Sequence, residues 1–174
     1  MNKSDAKQWY FIVNEYCQHL SQCFDIPLIK VAGIMSALSP QNKFEQNCKD
    51  LENFLLSGGL SKASTFGNQV NKAYNILHCE NYSEDSIKAC LGKGLKTRSF
   101  FENIYRPETS EAVTVDLWQI RWAKMLNIIP TEGTLTTKRY KKIEARVKKY
   151  ANKLGIMPHQ FQALTWVHLR GEVF

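Results

Sequence analysis

Lys96 and Asp116 are the two residues whose types and surroundings could carry chemistry. Lys96 falls in Leu91-Gly92-Lys93-Gly94-Leu95-Lys96-Thr97, a Gly-x-Gly turn opening a helix with a lysine in its first turn. Asp116 follows the β-prone run Val113-Thr114-Val115 and starts another helix with Leu117-Trp118. Glycines at 92 and 94 permit positive φ and close backbone approach, and free N–H groups at a helix N-terminus attract anions. Such a turn is also an ordinary way to join two helices. Asp116 reads plainly as an N-cap. A carboxylate held there stays ionised and can stabilise an oxocarbenium-like sugar or deprotonate a nucleophile. Lys96 reads either as a surface or phosphate-contacting lysine or as a nucleophile. The second role needs a neutral amine, obtained through burial or a cationic neighbour such as Lys93, Arg98 or Arg121.

The elements that must position this pair are helical almost throughout. Trp9, Ile12, Val13, Tyr16, Leu20 and Phe24 keep a 3.6-residue period after the capping candidates Ser4 and Asp5. An apolar helix over 28–38 follows Pro27 and is broken by Ser39-Pro40-Gln41-Asn42. Phe44, Cys48, Leu51 and Leu55 carry the next helix, which Gly58-Gly59 stops. Val70, Ala73, Ile76 and Leu77 mark another, and Ser83 caps one that runs to Leu91. Beyond the hairpin come helices from Lys96 and from Asp116. A strongly basic helix ends at Gly155, and a last helix opens at Pro158. The pattern predicts an all-α, single-core protein of about nine short helices.

Its 174 residues suffice for one sizeable core, and 44% hydrophobic with 22% charged residues describes a folded chain. No apolar run reaches the roughly 18–20 residues that span a bilayer. The N-terminus shows no signal-peptide pattern, so an intracellular protein with no membrane partner is expected. Five cysteines, none at zinc or thioredoxin spacing, read as buried free thiols, with neither metal nor cofactor. His159 and His168 lack partners at ligand spacing. The net charge of +7 is concentrated where Lys138, Arg139, Lys141, Lys142, Arg146, Lys148, Lys149 and Lys153 face only Glu144. That is the footprint of a polyanion binder or, more plainly, a solvated helix face.

Leu91-Gly92-Lys93-Gly94-Leu95-Lys96-Thr97 resembles the L-P-G-x-G-x-K-T hairpin of the helix-hairpin-helix (HhH-GPD) DNA glycosylase superfamily, endonuclease III-like. Val115-Asp116-Leu117-Trp118 resembles the element carrying that family's catalytic aspartate. Upstream, Met35-Ser36-Ala37-Leu38-Ser39-Pro40-Gln41 is similar to its L-L-S-A-Q helix end, and Asn71-Lys72-Ala73-Tyr74-Asn75-Ile76 to its N-x-K-A-x-N-I helix. Trp166-Val167-His168-Leu169-Arg170-Gly171 resembles the closing helix weakly. The chain also resembles short phage-borne members, some linked to modified DNA bases. It departs from the pattern in three places. The hairpin proline is missing, Trp118 stands where a histidine is common, and the four-cysteine iron–sulfur loop of some members has no counterpart.

The resemblance implies a two-lobed helical fold, with residues 31–123 as the hairpin and catalytic core and 1–30 packed with 134–174 as the second lobe. It implies a DNA glycosylase that removes a damaged or modified base from double-stranded DNA, with AP-lyase activity if Lys96 forms an imine. Catalysis falls to Asp116 and Lys96, and backbone contact to Gly92, Lys93, Gly94 and Thr97. Gln41, Asn42 and Trp118 would fill the vacated stack or line the base pocket. Lys138, Arg139, Lys142, Arg146 and Lys149 would supply long-range attraction to DNA. A monomer is expected. Two other readings stay open: an enzyme acting on hypermodified bases with the same pocket, and a non-catalytic DNA-binding helical module.

Overall fold

The computed structural model describes residues 3–170, which form ten α-helices: α1 (Lys3–Lys7), α2 (Trp9–Phe24), α3 (Leu28–Leu38), α4 (Phe44–Leu56), α5 (Gly67–His78), α6 (Glu84–Leu91), α7 (Leu95–Tyr105), α8 (Leu117–Met125), α9 (Thr137–Lys153) and α10 (Pro158–Arg170). The chain is all-α as expected, with no strand among the described residues. The first expected helix is divided at Gln8, which opens α2 without a side-chain cap.

The central element is α3. Every residue from Val31 to Leu38 is buried, because α2, α4, α5, α6 and α7 all pack around it. A helix apolar on all sides has no other stable place. Gly33 sets how closely α5 and α6 approach: a Cβ there would lie 2.7 Å from Ile87 Cγ2 and 3.3 Å from Ile76 Cγ2. Side chains of α2 to α7, including Val13, Phe54, Phe101 and Ile104, complete this first apolar cluster. A second cluster forms around Val113, Val115, Trp122, Ile143 and Val147, so α8 and α9 share a core of their own, with Phe161 and Leu169 of α10 against it. α2 belongs to the first cluster, and α1 lies on α10.

The β-prone run at 113–115 forms no strand, since there is no neighbouring strand to receive it. Its backbone groups are satisfied by side chains instead, as buried peptide groups must be. The Tyr140 hydroxyl donates to Val113 O at 2.7 Å and accepts from Val115 N at 3.2 Å. Gln162 Oε1 accepts from Thr114 N at 2.9 Å. The Thr114 hydroxyl oxygen in turn accepts from Tyr10 and Asn103, each at 3.2 Å. Four helices (α2, α7, α9 and α10) thereby clamp the segment that ends at Asp116.

Among the described residues no single helix is long and apolar enough to cross a membrane, and no cluster of three or more His, Cys, Asp or Glu is placed to hold a metal ion. The cysteines are free. Only Cys17 is buried; Cys23 is exposed, because its position on α2 faces away from α3, and the others are half-buried. His159 is a core residue whose Nε2 lies 2.7 Å from Pro107 O, and His168 is exposed.

Candidate functional site

Where α3 ends, α7 begins and the clamped segment meets α8, the two clusters leave a cavity of about 170 Å³. Trp9, Phe44, Phe100, Trp118 and Trp166 supply its aromatic walls. Trp9 organises them, with ring centroids 5.1 Å from Phe44, 6.1 Å from Phe100 and 5.1 Å from Trp166. Ser39, Asn42, Asn47, Thr114, Lys96 and Asp116 contribute polar groups. A space well under the roughly 300–1,000 Å³ of drug-sized sites suits one planar group between rings.

Asp116 caps α8 as its sequence position predicts, Oδ1 accepting from Gln119 N at 2.9 Å. Its surroundings act on it in two directions. Burial pushes its pKa above the ordinary carboxylate value, and this outweighs the Gln119 N–H, the Lys96 charge, the Trp118 N–H and the Trp166 indole, which all pull it down. The indole N–H of Trp166 faces the carboxylate without making a hydrogen bond of full geometry. Asp116 is therefore a carboxylate with heightened proton affinity, the condition for a base.

Lys96 enters the same cavity from the first turn of α7 while remaining exposed. Of the cations that sequence placed around it, Arg98 turns back to donate from Nε to Gly92 O at 2.5 Å, and Arg121 stacks over Trp118, 4.5 Å from the ring centroid. Lys96 and Asp116 also border a second groove of about 420 Å³. Lys93, Gly94 and Leu95 form one wall of it, and Leu117, Leu135, Thr136 and Thr137 the other.

The hairpin has the predicted form. Gly92 has φ +80°, which a side chain would strain. Gly94 opens α7 without a side-chain cap, so the first N–H groups of the helix have no side chain to satisfy them. The Thr97 hydroxyl turns inward, donating to Gly94 O at 3.0 Å. Gln41 and Asn42, joined in expectation, differ in place. Asn42 lines the cavity, but its amide is engaged, donating to Asp50 Oδ2 at 2.8 Å. Gln41 is exposed in a left-handed corner with φ +56°.

On α9 the spacing of Lys138, Lys142, Arg146 and Lys149 keeps them on one exposed strip opposite Tyr140, Ile143 and Val147. Lys141 and Lys148 are paired with Glu144, at 2.7 and 3.4 Å. Arg139 leaves the strip: its guanidinium donates to Glu132 O and Thr134 O and braces the loop before α9.

Sequence reasoning did not find Trp9, Phe44, Asn47, Phe100 or Thr114 as cavity residues. For Asn47 a signal existed, since it interrupts the apolar stripe of Phe44, Cys48 and Leu51. The aromatic residues gave none, because a cavity wall and a core face have the same helical period.

Residues 1–173 match a family of unknown function, DUF7178, and the chain belongs to that family. No curated protein and no solved structure matches it.

Proposed function

We propose that this chain is a helix-hairpin-helix DNA glycosylase, cleaving the N-glycosidic bond of a damaged or modified base flipped out of duplex DNA. The observation that carries the reading is the convergence of Asp116 and Lys96, from two different helices, on one aromatic cavity. The base would stack between the rings, at roughly 1–3 kcal/mol per base, leaving its sugar at the mouth beside both residues. The uncapped start of α7 at Gly92–Gly94 would take the backbone, the exposed strip of α9 would attract the duplex, and Gln41 would occupy the vacated stack.

In the reaction, the Lys96 amine bonds to C1′ as the C1′–N bond breaks and the base departs with that electron pair. Asp116 accepts a proton from the attacking amine. Asp116 returns that proton to O4′ as the C1′–O4′ bond opens to an iminium, from which loss of the C2′ proton expels the 3′ phosphate. If water replaces Lys96 as nucleophile, Asp116 takes the water's proton and the strand stays intact.

Incubation with base-modified and abasic duplexes under borohydride tests this. A covalent adduct absent in Lys96→Ala supports the lyase. Base release without an adduct, lost in Asp116→Asn, supports the monofunctional enzyme. An altered base still joined to its sugar, or salt-sensitive binding with no product on a broad panel, refutes excision.

A further inference from the structure

We infer that Tyr140 positions the Asp116–Lys96 pair: its single hydroxyl ties the segment that ends in Asp116 to the helix that carries Lys96. The consequence for catalysis rests on the reading above; the tie itself does not. Asp116 begins α8, which packs on α9 and α10, whereas α7 packs on α2, α3 and α6. The two residues of the pair therefore belong to different packing units. Proton transfer between them needs their separation held to hydrogen-bond reach.

Tyr140 lies near the start of α9 and is 4% exposed. Its hydroxyl donates to Val113 O at 2.7 Å and accepts from Val115 N at 3.2 Å, the last amide before that of Asp116. The same oxygen stands 3.3 Å from the Ser99 hydroxyl, one turn beyond Lys96 on α7. Burial pushes the phenol above its ordinary pKa, so it keeps its proton and its donor role in the neutral range. A second tie joins α7 to the segment, Asn103 Nδ2 donating to the Thr114 hydroxyl at 3.2 Å. That bond lies two turns from Lys96 and holds a side chain. The Tyr140 hydroxyl holds the backbone on both sides of Thr114, next to the carboxylate. A buried polar network rigidifies what it joins, and a misplacement of about 1 Å costs on the order of a hundredfold in rate.

Tyr140→Phe keeps the ring in the second cluster and removes the tie. The first readout needs no DNA. In the parent at low salt, Lys96→Met should raise the midpoint at which the Asp116 carboxyl titrates, followed by carbon NMR, because it removes a charge that holds that value down. In the Tyr140→Phe background the same substitution should raise it less than about half as far. The second readout is single-turnover base release, which should slow about tenfold to a hundredfold in Tyr140→Phe. Affinity for the same duplex on 2′-fluoro-arabinose, which resists excision, should stay within about threefold. Ser99→Ala cuts the tie to α7 alone and should change both readouts in the same direction; it decides the matter if Tyr140→Phe does not fold. Gly33→Ala, which disturbs the first cluster, should lower stability and leave the Lys96 effect on Asp116 intact. An undiminished Lys96 effect in both tie variants, release as fast as the parent's, or the same decoupling in Gly33→Ala would each overturn the inference. Decoupling in the tie variants with no base release from the parent would retain the tie and refute excision; base release with undiminished coupling would do the reverse.

Discussion

Asp116 and Lys96 stand at the starts of α8 and α7 and close the same cavity, the carboxylate half-buried and the amine exposed. Asp116 is both the cap of its helix and a charge held in a desolvated place, two roles that substitution can separate. Asp116→Asn keeps an N-cap of equal quality, whereas Asp116→Ala loses roughly 0.5–2 kcal/mol of stability. Base release should disappear in both. In thermal melts the Asn variant should match or exceed the parent at neutral pH, and the Ala variant should fall below the Asn variant.

The pH dependence of that comparison has a fixed sign. Folded Asp116 binds its proton more tightly than the unfolded chain does, so its contribution favours the fold most below the ordinary value of 3.8. The contribution declines as pH rises through the raised value. The melting-temperature difference between Asp116→Asn and the parent should therefore shrink as pH falls toward about 4. His159 acts oppositely. Burial pushes its imidazole below the ordinary 6.5, so it destabilises the fold as pH falls from there toward its lowered value, a slope that His159→Gln should remove.

Salt dependence will separate the cations of α9. Lys142→Ala, Arg146→Ala and Lys149→Ala should each reduce the slope of log K against log salt by up to about 0.9, with little change in melting temperature. Arg139→Ala should leave the slope nearly unchanged and lower stability, because that guanidinium holds Glu132 O and Thr134 O. A loss of slope in Arg139→Ala equal to that in Lys142→Ala would refute this division of roles.

Gly33→Ala should cost about 1–3 kcal/mol in denaturant unfolding, since its Cβ would lie 2.7 Å from Ile87 Cγ2 within a close-packed centre. Gly92→Ala should cost less, about 1 kcal/mol, because only its φ of +80° is at issue; the nearest atoms, on Lys72, would stand at 3.7 and 3.8 Å. Equal losses at the two sites would mean that the approach of α3 to α6 is not set by Gly33.

Asp50 is buried and accepts from Asn42, Gln46 and the Ser64 backbone N–H. Through Asn42 it holds the turn that presents Gln41. Asp50→Ala should lower stability by about 1–3 kcal/mol, because it leaves those donors unpaired. Gln41→Ala, at an exposed position, should alter stability by less than about 0.5 kcal/mol and weaken only binding to duplexes with an extruded base. A large stability loss in Gln41→Ala would show that the corner is structural.

The sequence by itself determined the helices and their punctuation. Ser83, Asp116 and the glycines at 58, 92 and 155 act through local backbone chemistry, and the structure has each at the helix boundary expected of it. It also brought Lys96 and Asp116 forward, since a turn and a cap are local patterns. Only the tertiary structure decided what surrounds them. The run at 113–115 has strand propensity yet no strand partner, and its amides are met by Tyr140 and Gln162 from distant helices. Trp9 and Trp166 look like core residues at helical spacing, and the packing of α2 against α10 turns them into cavity walls. Local signals fix where helices start and stop because a few adjacent residues settle the backbone hydrogen bonds. A cavity is built from residues far apart in the chain, and the pairing that burial brings about has no period to read.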